Sequence, residues 1–113
     1  SVRRSMQQLL SDSGYDVRTA RDGLEAVELL RERVPDILLV DLEMPRMNGL
    51  ELTSFARNFD ATRNTPVIMI TSRTTERHKE LASTVGVDHV LTKPYQDDEL
   101  LDLIQHYMSA KSV

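Results

Sequence analysis

Two uninterrupted apolar runs, Ile37-Leu38-Leu39-Val40 and Val67-Ile68-Met69-Ile70, constrain this chain more than any other feature. A strand with one wet face alternates apolar and polar side chains, whereas a run without alternation needs cover on both faces. Four apolar residues are too few for a helix, and Pro35 and Pro66 stand just ahead of the two runs. Strands covered on both faces are the mark of a parallel sheet held between two layers of helices. The remaining segments should supply those layers.

They do. Val2, Met6, Leu9 and Leu10 recur at helical spacing over residues 1–13, and Gly14 supplies a stop. Residues 16–20 read as a short strand around Val17 and Thr19. Leu24, Val27, Leu30 and Val34 mark one face of a helix opened by Asp22 and Gly23 and ended by Pro35. Asn48 with Glu51 three residues on resembles a capping box for a helix from Leu50 to near Phe59. A polar loop over 60–65 leads to the second apolar run. Residues 76–85 form a more polar helix that Gly86 stops, and 87–91 a further short strand. The last helix begins near Asp97, where acidic neighbours suit the helix dipole. It buries Leu100, Leu101, Ile104, Tyr107 and Met108, with 109–113 as a tail. The order α-β-α-β-α-β-α-β-α implies an α/β domain with parallel strands, right-handed crossovers and helices on both faces.

Composition bounds the function. A chain of 113 residues with 40% apolar content suits one domain with one core. A formal net charge of −4 is the wrong sign for a general phosphate-backbone binder, so no nucleic-acid partner is expected. Without cysteine, disulfides, thiolate metal sites and thiol nucleophiles are excluded. No apolar run approaches the roughly 20 residues a membrane span needs, and no signal peptide is visible. A cytoplasmic domain without a membrane partner is the expectation.

In open parallel sheets, ligands bind beyond the carboxyl ends of the strands. Asp41, Thr71 and Lys93 each follow or close a strand run, so topology should gather them on one edge. Singly, an Asp there serves as a turn residue and a Lys is solvated. Together they make coherent chemistry. A carboxylate can attack phosphorus and form an acyl phosphate. The phosphoryl group brings negative charge that an ammonium compensates as a point charge. A threonine hydroxyl offers one donor on a stiff side chain. Backbone N–H groups after Asp41 could complete the cradle. Pro94 follows Lys93, and a cis bond there would aim the lysine inward.

These residues carry a family resemblance. The segment Pro35-Asp36-Ile37-Leu38-Leu39-Val40-Asp41-Leu42-Glu43-Met44-Pro45-Arg46-Met47-Asn48-Gly49 resembles the phosphoacceptor block of CheY-like response-regulator receiver domains. Pro66 to Ser72 and Lys93-Pro94-Tyr95 resemble the other two signature blocks, and Asp22-Gly23 with Glu25-Ala26 also matches. The similarity spans essentially the whole chain. It implies a flavodoxin-like, doubly wound (βα)5 fold and membership of a two-component phosphorelay. It makes Asp41 the phosphoacceptor, Thr71 the hydroxyl that moves toward the phosphoryl group, and Lys93 its salt-bridging partner. Magnesium is the implied cofactor, held by Asp41 and the backbone carbonyl of Glu43. The implied phosphodonor is a histidine kinase or histidine phosphotransfer domain. The implied chemistry is self-phosphorylation and autodephosphorylation rather than enzyme turnover, and the last two helices and last strand would carry the signal. Val2-Arg3-Arg4 and Lys93-Pro94-Tyr95 also look similar to receivers of chemotaxis-type hybrid histidine kinases.

The sequence departs from the family pattern in two places. Receivers start with an apolar strand closing in two acidic residues that help hold magnesium, and Ser1 already lies inside the first helix. The expectation is an N-terminally incomplete single domain over 1–113. A partner supplying the strand, by dimerisation or strand exchange, is the second possibility, and a metal-free degenerate domain the third. Asp12 and Asp16 fall at the wrong ends of their elements to replace the acids. Second, Val90 stands three positions before Lys93, where the family often has an aromatic residue, which excludes a ring-flip readout. His89 beside it reads as a surface residue, and His78 and His106 as solvated. Glu43 and Arg73, two residues past Asp41 and Thr71, could shield the acyl phosphate and tune its lifetime, or form an ordinary surface pair.

Two rivals differ in class. A haloacid-dehalogenase-type hydrolase would want Asp where Glu43 stands, and the chain is short for a substrate cap. A pseudo-receiver would bind partners without being phosphorylated. Phosphorylation by a small donor separates the three.

Overall fold

The computed structural model describes residues 2–43, 46–72 and 75–111. Helix α1 (Val2–Asp12) is followed by α2 (Gly23–Glu32), β1 (Leu38–Asp41), α3 (Gly49–Asn58) and a short 3₁₀ turn (Asp60–Thr62). Then come β2 (Val67–Thr71), α4 (Glu76–Val85), β3 (His89–Thr92) and α5 (Asp97–Lys111). The three strands are parallel in the order β1-β2-β3, so β2 is central.

The side chains of β2 alternate between two cores. Val67 and Met69 meet Val40, Leu52 of α3, Ala82 of α4, and Ala26 and Leu30 of α2. Ile68 and Ile70 meet Leu10 of α1, Leu91, and Leu100 and Ile104 of α5. The sheet is therefore wound on both sides, with α2, α3 and α4 on one face and α1 and α5 on the other. Every residue of β2 is buried, each apolar side chain contributing about 1.5–3 kcal/mol of transfer free energy.

Caps set the helix limits. Asn48 and Glu51 form a reciprocal capping box at α3, at 2.9 and 3.2 Å. The Asp22 side chain caps α2 by accepting from the N–H of Glu25 at 2.9 Å. Gly86 closes α4 in a left-handed conformation with φ of 100°, which costs glycine least.

Several sequence expectations need correction. Residues 16–20 form no strand; they run irregularly. Within β1 only Val40 is buried. Both facts have one cause: the free edge of β1 and the 16–20 segment border a groove of about 650 Å³, lined by residues from both layers, among them Leu10, Val17, Leu30, Leu39 and Ile104. Extended backbone without a ladder partner has no reason to hold strand geometry. On α2, Leu24 and Val34 are exposed and the helix stops at Glu32, ahead of Pro35, so its buried face is Ala26 and Leu30. The third strand begins at His89 rather than 87. Helix α5 continues through 109–111, which had read as tail, and residues 112–113 lie outside the described residues.

Candidate functional site

The strand register positions the site. Asp41 lies opposite Ile70, and Thr71 opposite Thr92, so Asp41, Thr71 and Lys93 end adjacent strands in a staggered row. The Lys93 N–H donates to the Thr71 carbonyl at 2.9 Å, extending the ladder by one residue beyond β3. The Lys93–Pro94 peptide is cis, and the Lys93 ammonium donates to Asp41 Oδ2 at 3.2 Å. The other carboxylate oxygen, Oδ1, accepts the N–H of Glu43 at 2.9 Å. Thr71 is buried, and its hydroxyl donates to Glu43 Oε1 at 3.2 Å.

Asp41 is half-buried. Its burial pushes the carboxyl pKa up, but the Glu43 backbone N–H and then the Lys93 ammonium outweigh that effect and hold it below the ordinary aspartate value. A carboxylate ionised at neutral pH and partly open to solvent, with side-chain exposure of 42%, can act as a nucleophile.

The loop after Asp41 is pinned from the side. Arg46, with a left-handed φ of 63°, donates through Nε to Asp22 Oδ2 at 3.1 Å and pairs through its second nitrogen with the same oxygen. Sequence reasoning used Asp22 as a helix start and as part of a family motif and gave Arg46 no role, because no local pattern announces a cross-loop ion pair. The N–H of Glu25 and then the Arg46 guanidinium hold the Asp22 carboxyl below its usual pKa. A depressed carboxyl stabilises the fold above the unfolded-state pKa and loses that contribution as pH falls through its folded value. Asp22→Asn is therefore expected to destabilise at neutral pH. Its deficit against wild type should shrink below about pH 3.8, as read by urea melts across the acid limb. A constant gap would reject the linkage.

The remaining expectations fall as follows. Val90 is partly buried against the core on the α2–α4 side of the sheet. His89 and His106 are exposed, while His78 is half-buried with Nδ1 2.5 Å from the Thr75 hydroxyl. Asp12 accepts from Gln8 and Asp16 pairs with Arg33 at 3.5 Å. Arg73, and Met44 and Pro45 of the expected backbone cradle, lie outside the described residues. Among the described residues, no three His, Asp or Glu side chains gather as a metal cluster. Asp41 and the Glu43 backbone offer part of an all-oxygen shell. Magnesium binds through one or two carboxylates and completes its octahedron with water and phosphate oxygens, so this partial set fits it.

The comparisons agree with this fold. The family model described as response regulator receiver domain matches residues 1–105. The chain is 37% identical to Protein PilG of Pseudomonas aeruginosa over 108 residues, covering 96% of this chain and 80% of PilG. Chemotaxis protein CheY4 of Vibrio cholerae superposes with a TM-score of 0.89 at 32% identity, covering 94% of this chain and 88% of that one. The receiver domain of sensor histidine kinase PA1611 from Pseudomonas aeruginosa, whose structure has a magnesium ion in its active site cleft, superposes with a TM-score of 0.86. That match has 25% identity and covers 94% of this chain and 87% of the other. The alternation of elements and the two-sided winding thus belong to a known family. The chain is a member of the response-regulator receiver domain family, the CheY-like module of two-component signalling.

Proposed function

We propose that Asp41 is the phosphoacceptor of this receiver. The observation that carries the reading is the Asp41–Lys93 contact of 3.2 Å across two strand ends 52 residues apart. Receiver domains take phosphoryl groups from histidine kinases. In this reading an oxygen of the Asp41 carboxylate attacks the phosphorus of a phosphohistidine. The P–N bond breaks, its electron pair returning to the imidazole, and an acyl phosphate forms. Lys93 then balances phosphoryl charge, and the Thr71 hydroxyl donates to a phosphoryl oxygen. Magnesium, when bound by Asp41 and the Glu43 carbonyl, supplies further charge compensation. Repacking of the face around Thr71 and Val90 would carry the output as a population shift.

The groove between the irregular 16–20 segment and the open edge of β1 reaches Asp41, Glu43 and Lys93 at one end. A further parallel strand seated there would pair with β1, order 16–20 as a strand, and present its last residues beside Asp41. Acidic residues at that end would complete the magnesium shell. On this reading 1–113 belongs to a single receiver domain, and this groove is the seat of its central strand. The chemistry is one stoichiometric phosphorylation followed by autodephosphorylation, without substrate turnover, in the cytoplasm.

The test is incubation of the intact protein with magnesium and acetyl phosphate, followed by intact-mass analysis. One added phosphoryl group is expected, removed by hydroxylamine as an acyl phosphate requires, and absent in Asp41→Asn. A wild-type protein that gains no mass would favour a pseudo-receiver. Many equivalents of phosphate released per protein would favour the hydrolase.

A further inference from the structure

Glu43 touches both Asp41 and Thr71, in different ways. Its backbone N–H donates to Asp41 Oδ1, while its side-chain carboxylate accepts the Thr71 hydroxyl. A threonine hydroxyl has a single proton to donate. Thr71 is buried, 2% exposed, and its branched side chain has few rotamers. It cannot serve Glu43 and a phosphoryl oxygen on Asp41 with the same proton.

We infer that Glu43 is a latch: in the unphosphorylated domain its carboxylate holds the Thr71 hydroxyl, and switching requires that bond to break. The inference rests on the phosphoacceptor reading of Asp41 and deepens it by assigning the Glu43 carboxylate as a resting-state acceptor of the Thr71 hydroxyl. The release has a physical cause. A hydrogen bond to a carboxylate is roughly twice as strong as one between neutral groups, so the resting position is favoured while Asp41 is bare. Phosphorylation adds negative charge beside the Glu43 carboxylate and repels it. The same event offers Thr71 a charged oxygen of comparable strength. One residue thereby senses the acceptor through charge and controls the hydroxyl through its side chain. Glu43 is a positioning residue in this scheme, distinct from a shield against water.

Two measurements on the intact domain test it. The first needs no phosphoryl group. Three-bond couplings report the Thr71 χ1 rotamer, expected single in wild type and in Glu43→Gln, which keeps an acceptor, and averaged in Glu43→Ala. An unchanged single rotamer in Glu43→Ala overturns the latch even if Asp41 is phosphorylated normally. The second is a double-mutant cycle with beryllofluoride and magnesium, followed through backbone amide shifts. Glu43→Ala is expected to tighten beryllofluoride binding about three- to tenfold in the Thr71 background and less than about twofold in Thr71→Val. Equal tightening in both backgrounds would assign the effect to charge repulsion alone and overturn the latch. Failure of the wild type to bind beryllofluoride would count against the phosphoacceptor reading, and the rotamer measurement would still decide whether Glu43 holds Thr71.

Discussion

Arg57→Met is expected to destabilise the domain by about 3 kcal/mol, the order expected when several half-buried hydrogen bonds to one charged donor are lost together. The side chain leaves α3 and is only 21% exposed. Through Nε and Nη2 it donates to the Gly86 carbonyl at 3.0 and 2.8 Å, which ties it to the end of α4. Through Nη1 it donates to the carbonyls of Thr65 at 2.7 Å and Arg63 at 3.0 Å, which ties it to the loop entering β2. Nη2 also meets Asp88 Oδ2 at 2.8 Å, and that same oxygen accepts the N–H of Val67, the first residue of β2. One guanidinium therefore fastens α3, the β2 entry, the α4 end and the β3 approach. Methionine preserves the stem and its packing but leaves the Gly86 and Thr65 carbonyls without their charged donor. A loss of 3 kcal/mol lowers the melting temperature by roughly 10 °C in a domain of this size. Arg57→Lys should recover less than half of the loss, because an ammonium cannot reproduce the planar fork. Urea denaturation of the three proteins checks this; a deficit below about 1 kcal/mol for Arg57→Met would show the network to be dispensable.

Arg57 also marks the boundary of what the sequence made legible. The β2 run was readable because an uninterrupted apolar segment carries its burial within itself, and all of Val67–Thr71 is buried. The β1 run looked the same in sequence but is only partly buried, because a strand's burial also depends on what lies along its free edge. Residues 16–20 failed as a strand for the same reason: alternation around Val17 supplies a propensity, and a strand needs a ladder partner. The convergence of Asp41, Thr71 and Lys93 was legible because parallel topology alone brings strand ends together. The contacts that knit the site were not. Arg46 to Asp22, Arg57 to Gly86 and Glu43 to Thr71 join residues 24, 29 and 28 positions apart, and no periodicity reports which long polar side chain will span such a gap. Glu43 was noticed for its position two residues past Asp41, while its carboxylate's partner needed coordinates. On α2, helical spacing nominated Leu24 and Val34, yet both lie at the exposed ends of the stripe, where no neighbouring element covers them.

A second substitution joins fold and site more directly. Gly49 is the first residue of α3, and its N–H donates to the Leu42 carbonyl at 3.2 Å. A Cβ there would stand 2.7 Å from the Asp41 carbonyl oxygen, 3.1 Å from the Asp41 carbonyl carbon and 3.1 Å from Leu42 Cα. All three are backbone atoms of β1 and its exit, so no side-chain rotation can relieve the contact. Helix propensity alone would favour alanine over glycine by about 1 kcal/mol. Forced separation of α3 from β1 opposes it, at the 1–3 kcal/mol typical of overpacking, and it acts on Asp41, the residue proposed above to attack phosphorus. Gly49→Ala is therefore expected to be destabilised by up to about 2 kcal/mol and to accept a phosphoryl group from acetyl phosphate at least tenfold more slowly, since misplacements near 1 Å can cost about a hundredfold in rate. Ser54→Ala, at an exposed position of the same helix, is the control: it should leave the phosphorylation rate unchanged and be neutral or slightly stabilising. If Gly49→Ala matched wild type in both stability and rate, the close seat of α3 on the Asp41 backbone would not govern the geometry of the acceptor. If it lost stability while keeping its rate, the acceptor would tolerate backbone displacement, and the alignment of Asp41 would have to come from Lys93 and the Glu43 N–H alone.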